Sequence, residues 1–300
     1  MLVLDLGLDG PGYLQTVAGA ELWCDAELAP GARPAPRPAI EEPAGAEPEE
    51  LVYDGPGIVA GRVERVRSWL SAEGWRTVEF ASGDRFRVSP DGVSVALTAG
   101  STAGAVRERR LELAVGAPLA LALALRGVHL LHASAVAGSE GVVALCGDSG
   151  AGKSTLAAAA LEQPGLGLRR VADDILPVRL GADPVALPHF PQLKLPRGRG
   201  YPQEAPPRLP LRGLVVLDRG GEEAPLALER LEPAAALAEV VRAGVATRLL
   251  DRALLARHFE LCAEAASNLT VVRLRYPSGG ASLPRALGAL RSLAGGEIRG

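Results

Sequence analysis

The sequence predicts a mixed α/β fold in two domains, and three observations predict it. Residues 127–300 mix apolar strand-like runs with helical runs, without the strict β-α-β alternation of a doubly wound parallel sheet. Residues 1–126 hold alternating, turn-punctuated stretches and read as a smaller α+β domain. Between an apolar run and a helical one lies GDSGAGKST, residues Gly147 to Thr155, a glycine-rich loop of the kind that cradles phosphate.

Bulk properties narrow the function classes. The chain has 300 residues, 48% hydrophobic and 22% charged, enough for a sizeable core. A net charge of −3 and a pI of about 5.9 give no electrostatic case for a nucleic-acid partner. The opening MLVLDLGLDG carries Asp5 and Asp9 and no basic residue before its apolar stretch, so no signal peptide is expected. The most apolar run, LAVGAPLALALAL (113–125), is shorter than the roughly 20 residues that a membrane span needs. Cys24, Cys146 and Cys262 stand far apart, with neither disulfide nor metal spacing. The expectation is a cytoplasmic protein with no membrane partner, and a homo-oligomer is left open.

In the first domain YLQTVAGAELWC reads as strand-like. APGARPAPRPAIEEPAGAEPEE (29–50) is rich in Pro and acid and reads as a flexible loop. VERVRSWLSAEG (63–74) has apolar residues at helical spacing and predicts an amphipathic helix with Trp69 and Leu70 on its buried side. RTVEFASGDRFRVSPDGVSVALTAG (76–100) alternates and is punctuated by SGD and PDG, a β-meander. A helical stretch follows from Ala103 to Arg126, with a break at Gly116-Ala117-Pro118.

From Gly127 the texture changes. HLLHASAVA (129–137) and GVVALCG (141–147) read as two strands joined by a GSEG turn, then the loop and a helix, TLAAAALEQ. LRRVADDILPVRL (168–180) is a candidate strand pair, and RGLVVLDRGG (212–221) a strand and turn. Helices around 233–265, a strand TVVRLRY and a last helix SLPRALGALRSLA complete the domain.

The loop satisfies G-x-x-x-x-G-K-[ST] after a strand and at the head of a helix. Its glycines let successive N–H groups face phosphate, and the helix N-terminus adds roughly half a positive charge. Lys153 is expected to reach the β- and γ-phosphates and Ser154 to hold Mg²⁺. Of 32 basic residues only Lys153 and Lys194 are lysines. In such an arginine-rich background a lysine stands where a compact point charge serves and a planar fork does not. That makes Lys194, in HFPQLKLPRGR, a second candidate. For the metal-side acid there are two candidates. Asp218 ends LVVLD, a Walker-B-like run, but reads as a turn acid before Arg-Gly-Gly. Asp173 and Asp174 stand side by side in VADD, where a strand end would let both serve. His129 and His132 are three apart and face opposite sides of a strand.

HLLHASAVAGSEGVVALCGDSGAGKSTLAAAAL…RRVADDILPV resembles the catalytic domain of HPr serine kinase/phosphorylase, a fold similar to the nucleotide-binding part of ATP-dependent phosphoenolpyruvate carboxykinase. His132 stands fifteen residues before Gly147, and the paired acids follow the loop helix, as in that pattern. The layout, with a β-rich N-terminal domain (1–126) ahead of the kinase domain (127–300), more closely resembles the HPr-kinase-like kinases of lasso-peptide gene clusters, which phosphorylate a serine hydroxyl near the peptide's C-terminal end. The resemblance implies ATP and Mg²⁺ as cofactors. Gly147, Asp148, Ser149, Gly150, Ala151, Gly152, Lys153, Ser154 and Thr155 would bind nucleotide. His132 would lie beside the transferring phosphate. Asp173 or Asp174 would be the general base while the other assists Mg²⁺, Asp174 being grouped with Ser154 on the metal side. Lys194 and Arg197, in FPQLKLPRG, would serve the phosphoryl or substrate side. Two departures, Thr155 in place of the family's Glu and no later GRN-containing run, point away from phosphorylase activity and from HPr as the substrate. The implied function is Mg·ATP-dependent phosphorylation of a serine hydroxyl on a peptide or small protein, a lasso precursor peptide among them. A small-molecule hydroxyl kinase and a non-catalytic ATP-binding regulator are the alternatives.

Overall fold

In the computed structural model, which describes residues 1–8, 11–28, 32–39, 49–59, 62–100, 106–191, 206–221, 224–277 and 283–295, the chain divides into two compact units. Unit 1 is Met1–Val128 with Val245–Ala256, and unit 2 is His129–Gly244 with Arg257–Gly300.

Unit 1 is one sheet with two helices. Its strands are β1 (Leu2–Asp5), β2 (Gly12–Val17), β3 (Ala20–Cys24), β4 (Arg33–Ala35), β5 (Glu49–Val59), β6 (Arg62–Ser71), β7 (Arg76–Phe80), β8 (Arg85–Val88) and β9 (Ser94–Ala99). They lie in the order β4-β2-β3-β1-β9-β8-β7-β6-β5. Only β1 pairs in parallel, with β3 and with β9. The meander is as expected: β7, β8 and β9 are antiparallel neighbours joined through turns with positive φ at Gly83 and Gly92. The helical stretch also forms, as α1 (Val106–Val115) and α2 (Ala117–Leu125), interrupted at Gly116 with Pro118 in the first turn of α2. Helix α2 packs on β8 and β9 and is buried from Pro118 to Ala124.

Two expectations for this unit are corrected. Residues 62–71 are the strand β6, not a helix: β5 and β7 pair with its backbone on both sides. Val66 and Ser68 are buried, while the alternate residues Arg65 and Arg67 ion-pair with Asp54 and Glu79 on the flanking strands. Trp69 and Leu70 therefore face opposite sides of the sheet. The helical spacing of Val63, Val66 and Leu70 is weak evidence beside two strand partners, since sheet pairing overrides local propensity. Within the Pro-rich stretch 29–50, Arg33–Ala35 pairs with β2, and the Ala35 carbonyl accepts from the Trp23 indole at 3.2 Å. Glu49 and Glu50 already belong to β5.

Unit 2 is a mixed sheet with helices on both faces, which is the α/β class expected. Its strands are β10 (His129–His132), β11 (Ser134–Ala137), β12 (Val142–Cys146), β13 (Arg169–Ala172), β14 (Ile175–Arg179), β15 (Val185–Ala186), β16 (Leu209–Gly220), β17 (Ala227–Arg230) and β18 (Thr270–Pro277). The path runs β10-β14-β15-β16-β12-β11-β13, with β18 also against β16 and β17 beside β18. The pairs β12·β16 and β16·β18 are parallel, the rest antiparallel. The helices of this unit are α3 (Lys153–Leu161), α4 (Pro233–Arg242), α5 (Arg252–Asn268, from Arg257 onward) and α6 (Leu283–Ala294). The two-residue period of the strands divides the core. Val142, Ala144, Cys146, Leu214 and Val216 pack towards Ala236 and Val240 of α4 and Cys262 and Ala265 of α5. Val143, Leu145, Val215 and Leu217 pack towards Leu156 and Ala160 of α3 and Leu287 and Leu290 of α6. One correction matters for function: 129–137 is not one strand. It breaks at Ala133, so β10 pairs with β14 while β11 pairs with β12 and β13. Among the described residues no helix is long and apolar enough to cross a membrane.

A buried imidazole pair ties β10 to α5. Nδ1 of His258 lies 3.0 Å from Nδ1 of His129, and the Cys262 sulfur lies 3.5 Å from Nε2 of His258. Burial first, then the neighbouring His258 and Arg257, lowers the His129 pKa to about 4; burial lowers that of His258 too. Both rings are therefore neutral in the fold, and one must donate to the other. A depressed folded-state pKa means that the unfolded chain takes up the proton first as pH falls. The contribution of His129 is complete above the ordinary histidine value of 6.5 and is lost as pH drops from 6.5 towards 4. For His129 alone the loss amounts to about 3 kcal/mol. Urea midpoints measured from pH 7 to pH 4.5 should fall, and in His129→Gln the slope of that fall should be clearly shallower although the protein is weaker at pH 7. An unchanged slope would assign the acid sensitivity to other groups.

Candidate phosphate-loop site

Between the end of β12 and the start of α3 the chain makes a tight curl. Gly147, Gly150 and Gly152 have φ of +134°, +84° and +93°, which L side chains rarely adopt. Two of them also need the space. A Cβ on Gly147 would stand 2.8 Å from the Leu217 carbonyl oxygen, and one on Gly152 would run into the Tyr276 hydroxyl. The Asp148 carbonyl accepts from Ala151 N–H at 3.1 Å, closing the turn. Lys153 is buried, and its Nζ donates to the carbonyls of Gly147 at 2.8 Å and Asp148 at 3.1 Å. Ser154 and Thr155 are exposed in the first turn of α3. No side chain caps that helix, whose N-cap is Gly152, so the N–H groups of its first turn suit an anion. Curl, ammonium and uncapped helix end together fit the phosphates of a nucleotide.

Register brings the other candidates to the same edge of the sheet. Ser134 pairs with Leu145, Ala135 with Ala172, and Cys146 with Val216. The start of β11, the end of β13 and the stretch of β16 beyond Val216 therefore all lie level with the start of the loop. The break at Ala133 is matched by the bend at Asp173-Asp174 between β13 and β14, and two hydrogen bonds join them. Ala133 N–H donates to the Asp174 carbonyl at 3.1 Å, and Ser134 Oγ donates to the Asp173 carbonyl at 2.5 Å. His132 N–H donates to the Ala243 carbonyl at 2.7 Å, and its Nδ1 lies 3.5 Å from Oδ1 of Asp174. Asp173 is buried, with Arg170 Nη1 at 3.9 Å from its Oδ1, while the Asp174 side chain is 18% exposed. Because the acids occupy a bend and not a strand, they escape the rule that neighbours face opposite ways.

Asp218 is level with the loop but on the face of the sheet away from α3. It belongs to β16 and not to a turn, since the strand continues to Gly220. Strand alternation points it to the α4/α5 face, where Arg275, its register partner on β18, donates Nε to Oδ2 at 3.0 Å. On the same face Glu239 of α4 is buried between Arg242, at 3.5 Å, and Arg273, at 3.7 Å. Burial, with the charge of Glu239 adding and that of Lys153 opposing, pushes the Cys146 thiol up to about 12. The loop thus rises from an inert, apolar foot. Lys194 and Arg197 lie outside the described residues.

Sequence reasoning overlooked two residues. Ser134 is fully buried and holds the Asp173 bend, and Tyr276 touches the loop from β18. A serine inside HLLHASAVA is a visible anomaly in an apolar run. Tyr276 carries no local signal, because its role depends on a strand pairing more than a hundred residues from the loop.

No family model matches the chain, and no curated protein does. Among solved structures it is similar to the HPr(Ser) kinase/phosphatase from Coxiella burnetii, at 14% identity and a TM-score of 0.32, over 57% of this chain and 99% of that one. The Ser134 hydroxyl gives the first test of the site. Ser134→Ala removes its bond and leaves a buried carbonyl without that donor, at about 1–2 kcal/mol. Asp218→Asn alters a half-exposed ion pair, for which less than about 1 kcal/mol is expected. Chemical unfolding of the two variants should rank them in that order.

Proposed function

We propose that this chain is a Mg·ATP-dependent kinase acting on a serine hydroxyl of a peptide or small protein. The observation that supports it is the register of unit 2, which gathers the curl, Lys153, Ser154, His132 and the Asp173-Asp174 bend along one sheet edge. A protein that only bound nucleotide would need the loop alone. The acid pair, with Asp174 3.5 Å from an imidazole, supports transfer because it offers a base for an acceptor hydroxyl.

Phosphoryl transfer is mostly positioning and charge stabilisation. When bound, Mg·ATP supplies the phosphoryl group. Lys153 and the head of α3 would bind and neutralise the phosphates. Ser154 and Asp174 offer hard oxygen donors suited to Mg²⁺, which takes one or two protein oxygens together with substrate phosphates. Among the described residues no cluster of three or more His, Cys, Asp or Glu side chains could hold a metal by itself, and this mode needs none. Asp173 or Asp174 would accept the proton of the acceptor hydroxyl as its oxygen bonds to the γ-phosphorus and the bond to the β–γ bridging oxygen breaks, ADP being the leaving group. His132, 3.5 Å from Asp174, would orient that carboxylate. The narrower reading, a lasso-peptide tailoring kinase with Lys194 and Arg197 on the substrate side, draws its support from the sequence resemblance.

Lys153→Ala should abolish ATP-dependent transfer in a protein that still folds. Asp173→Asn or Asp174→Asn should lower turnover by at least ~10²-fold with nucleotide binding largely kept, the scale of losing a general base, and Asp218→Asn should be nearly silent. Phosphate incorporation into candidate peptides, followed by mass spectrometry beside nucleotide titrations, separates these outcomes. A silent acid pair with a damaging Asp218→Asn would transfer the metal-side role to β16.

A further inference from the structure

The phosphate loop is held from outside itself. Tyr276, on β18, donates its hydroxyl to the carbonyl of Ala151 in the middle of the curl. The same oxygen fills the space that any side chain at Gly152 would need, and the next nearest atom there, Cζ of the ring, is 3.6 Å away. Its ring is half-buried against the core beneath α3 and α6. Burial pushes the Tyr276 phenol up, with Arg219 opposing, so the hydroxyl keeps its proton and remains a donor at neutral pH. Arg219 is the register partner of Tyr276 on β16, so its charge belongs to the same end of the strand pair. Other bonds that shape the curl come from within it: Asp148 to Ala151, and Lys153 to Gly147 and Asp148.

We infer that Tyr276 is a positioning residue for nucleotide binding, a clamp whose hydroxyl interlocks with Gly152 and fixes the curl in its phosphate-receiving shape. The inference rests on the nucleotide-binding reading above. It is specific: Tyr276 acts on the phosphate-binding backbone, through the Ala151 carbonyl and the space at Gly152. The substitution of choice is Tyr276→Phe, which keeps the ring in the core and removes only the bond.

The test uses the full chain and a fluorescent ATP analogue, with adenosine as a phosphate-free competitor. Tyr276→Phe should weaken ATP about three- to tenfold, the range of one lost hydrogen bond, while adenosine affinity and the melting temperature stay near wild type. Gly152→Ala should impair ATP binding severely in the wild-type background, where the new methyl meets the hydroxyl. In the Tyr276→Phe background the same change should cost at least fivefold less, because only the φ strain remains. A mutant cycle with that sign distinguishes an interlock from general destabilisation, which would make the losses add. Wild-type ATP affinity in Tyr276→Phe together with additive losses overturns the clamp and leaves the loop assignment intact. A wild-type protein that does not bind ATP overturns both.

Discussion

Two hydrogen bonds across a double kink decide where the candidate site residues His132, Asp173 and Asp174 stand. Strands β10-β11 and β13-β14 each bend once, and the bends face one another through Ala133 N–H to Asp174 O and Ser134 Oγ to Asp173 O. Without the kink, residues 129–137 would run on as one strand, and His132 would project from a flat sheet. With it, the chain turns from one pairing partner to another within a single residue. The backbone carbonyls of both acids are then engaged, leaving their side chains to be aimed by the bend. Burial of Ser134 and Asp173 makes the arrangement stiff, since a buried polar group is costly to leave unmade.

The alternation of the central strands then sorts charge between the two faces. Residues 214 and 216 face α4 and α5, so Asp218 does too, and it meets Arg275 there. Residues 215 and 217 face α3, so Arg219 and Tyr276 belong to the loop side. An acid of Walker-B appearance is thus directed into an ion-pair array with Arg275, beside the Glu239–Arg273 and Glu239–Arg242 pairs, and its half-exposed pair contributes little to stability. On the far side of β12, Asp173 has Arg170 at 3.9 Å and Asp174 has the His132 imidazole at 3.5 Å. Geometry separates the two sets of acids where their sequence context does not.

Much of this was legible in the residues, for reasons that are local. GDSGAGKST needs three glycines at positive φ, and a turn that only glycine tolerates leaves its mark on sequence. The meander 76–100 was legible because SGD and PDG turns punctuate a clean alternation. What stayed hidden depends on partners. VERVRSWLS has a helical spacing of apolar residues and becomes a strand because β5 and β7 lie on both sides of it. RPA at 33–35 has no strand signature and pairs because β2 presents a free edge. The break at Ala133 has no glycine or proline to announce it, since Ala133 is an ordinary buried residue whose N–H bonds Asp174 across the kink. Tyr276 reads as one more aromatic in a strand until the register of β16 and β18 is known.

The scarcity of lysine acquires a physical reason at position 153. Its side chain is buried, and the Nζ donates to two successive carbonyls, of Gly147 and Asp148. A compact ammonium with rotatable donors meets two carbonyls in any azimuth. A guanidinium presents its donors in a fixed plane, and it is wider. The curl around it is closely packed: a Cβ on Gly147 would meet the Leu217 carbonyl, one on Gly152 the Tyr276 hydroxyl, and Ala151 is itself buried. A chain whose basic residues are otherwise almost all arginine therefore keeps lysine where the backbone wraps the charge closely. The same close wrapping requires glycine at 147 and 152. Lysine, glycines and the tyrosine on β18 thus act on one short stretch of backbone, the lysine through the carbonyls of Gly147 and Asp148 and the tyrosine through that of Ala151.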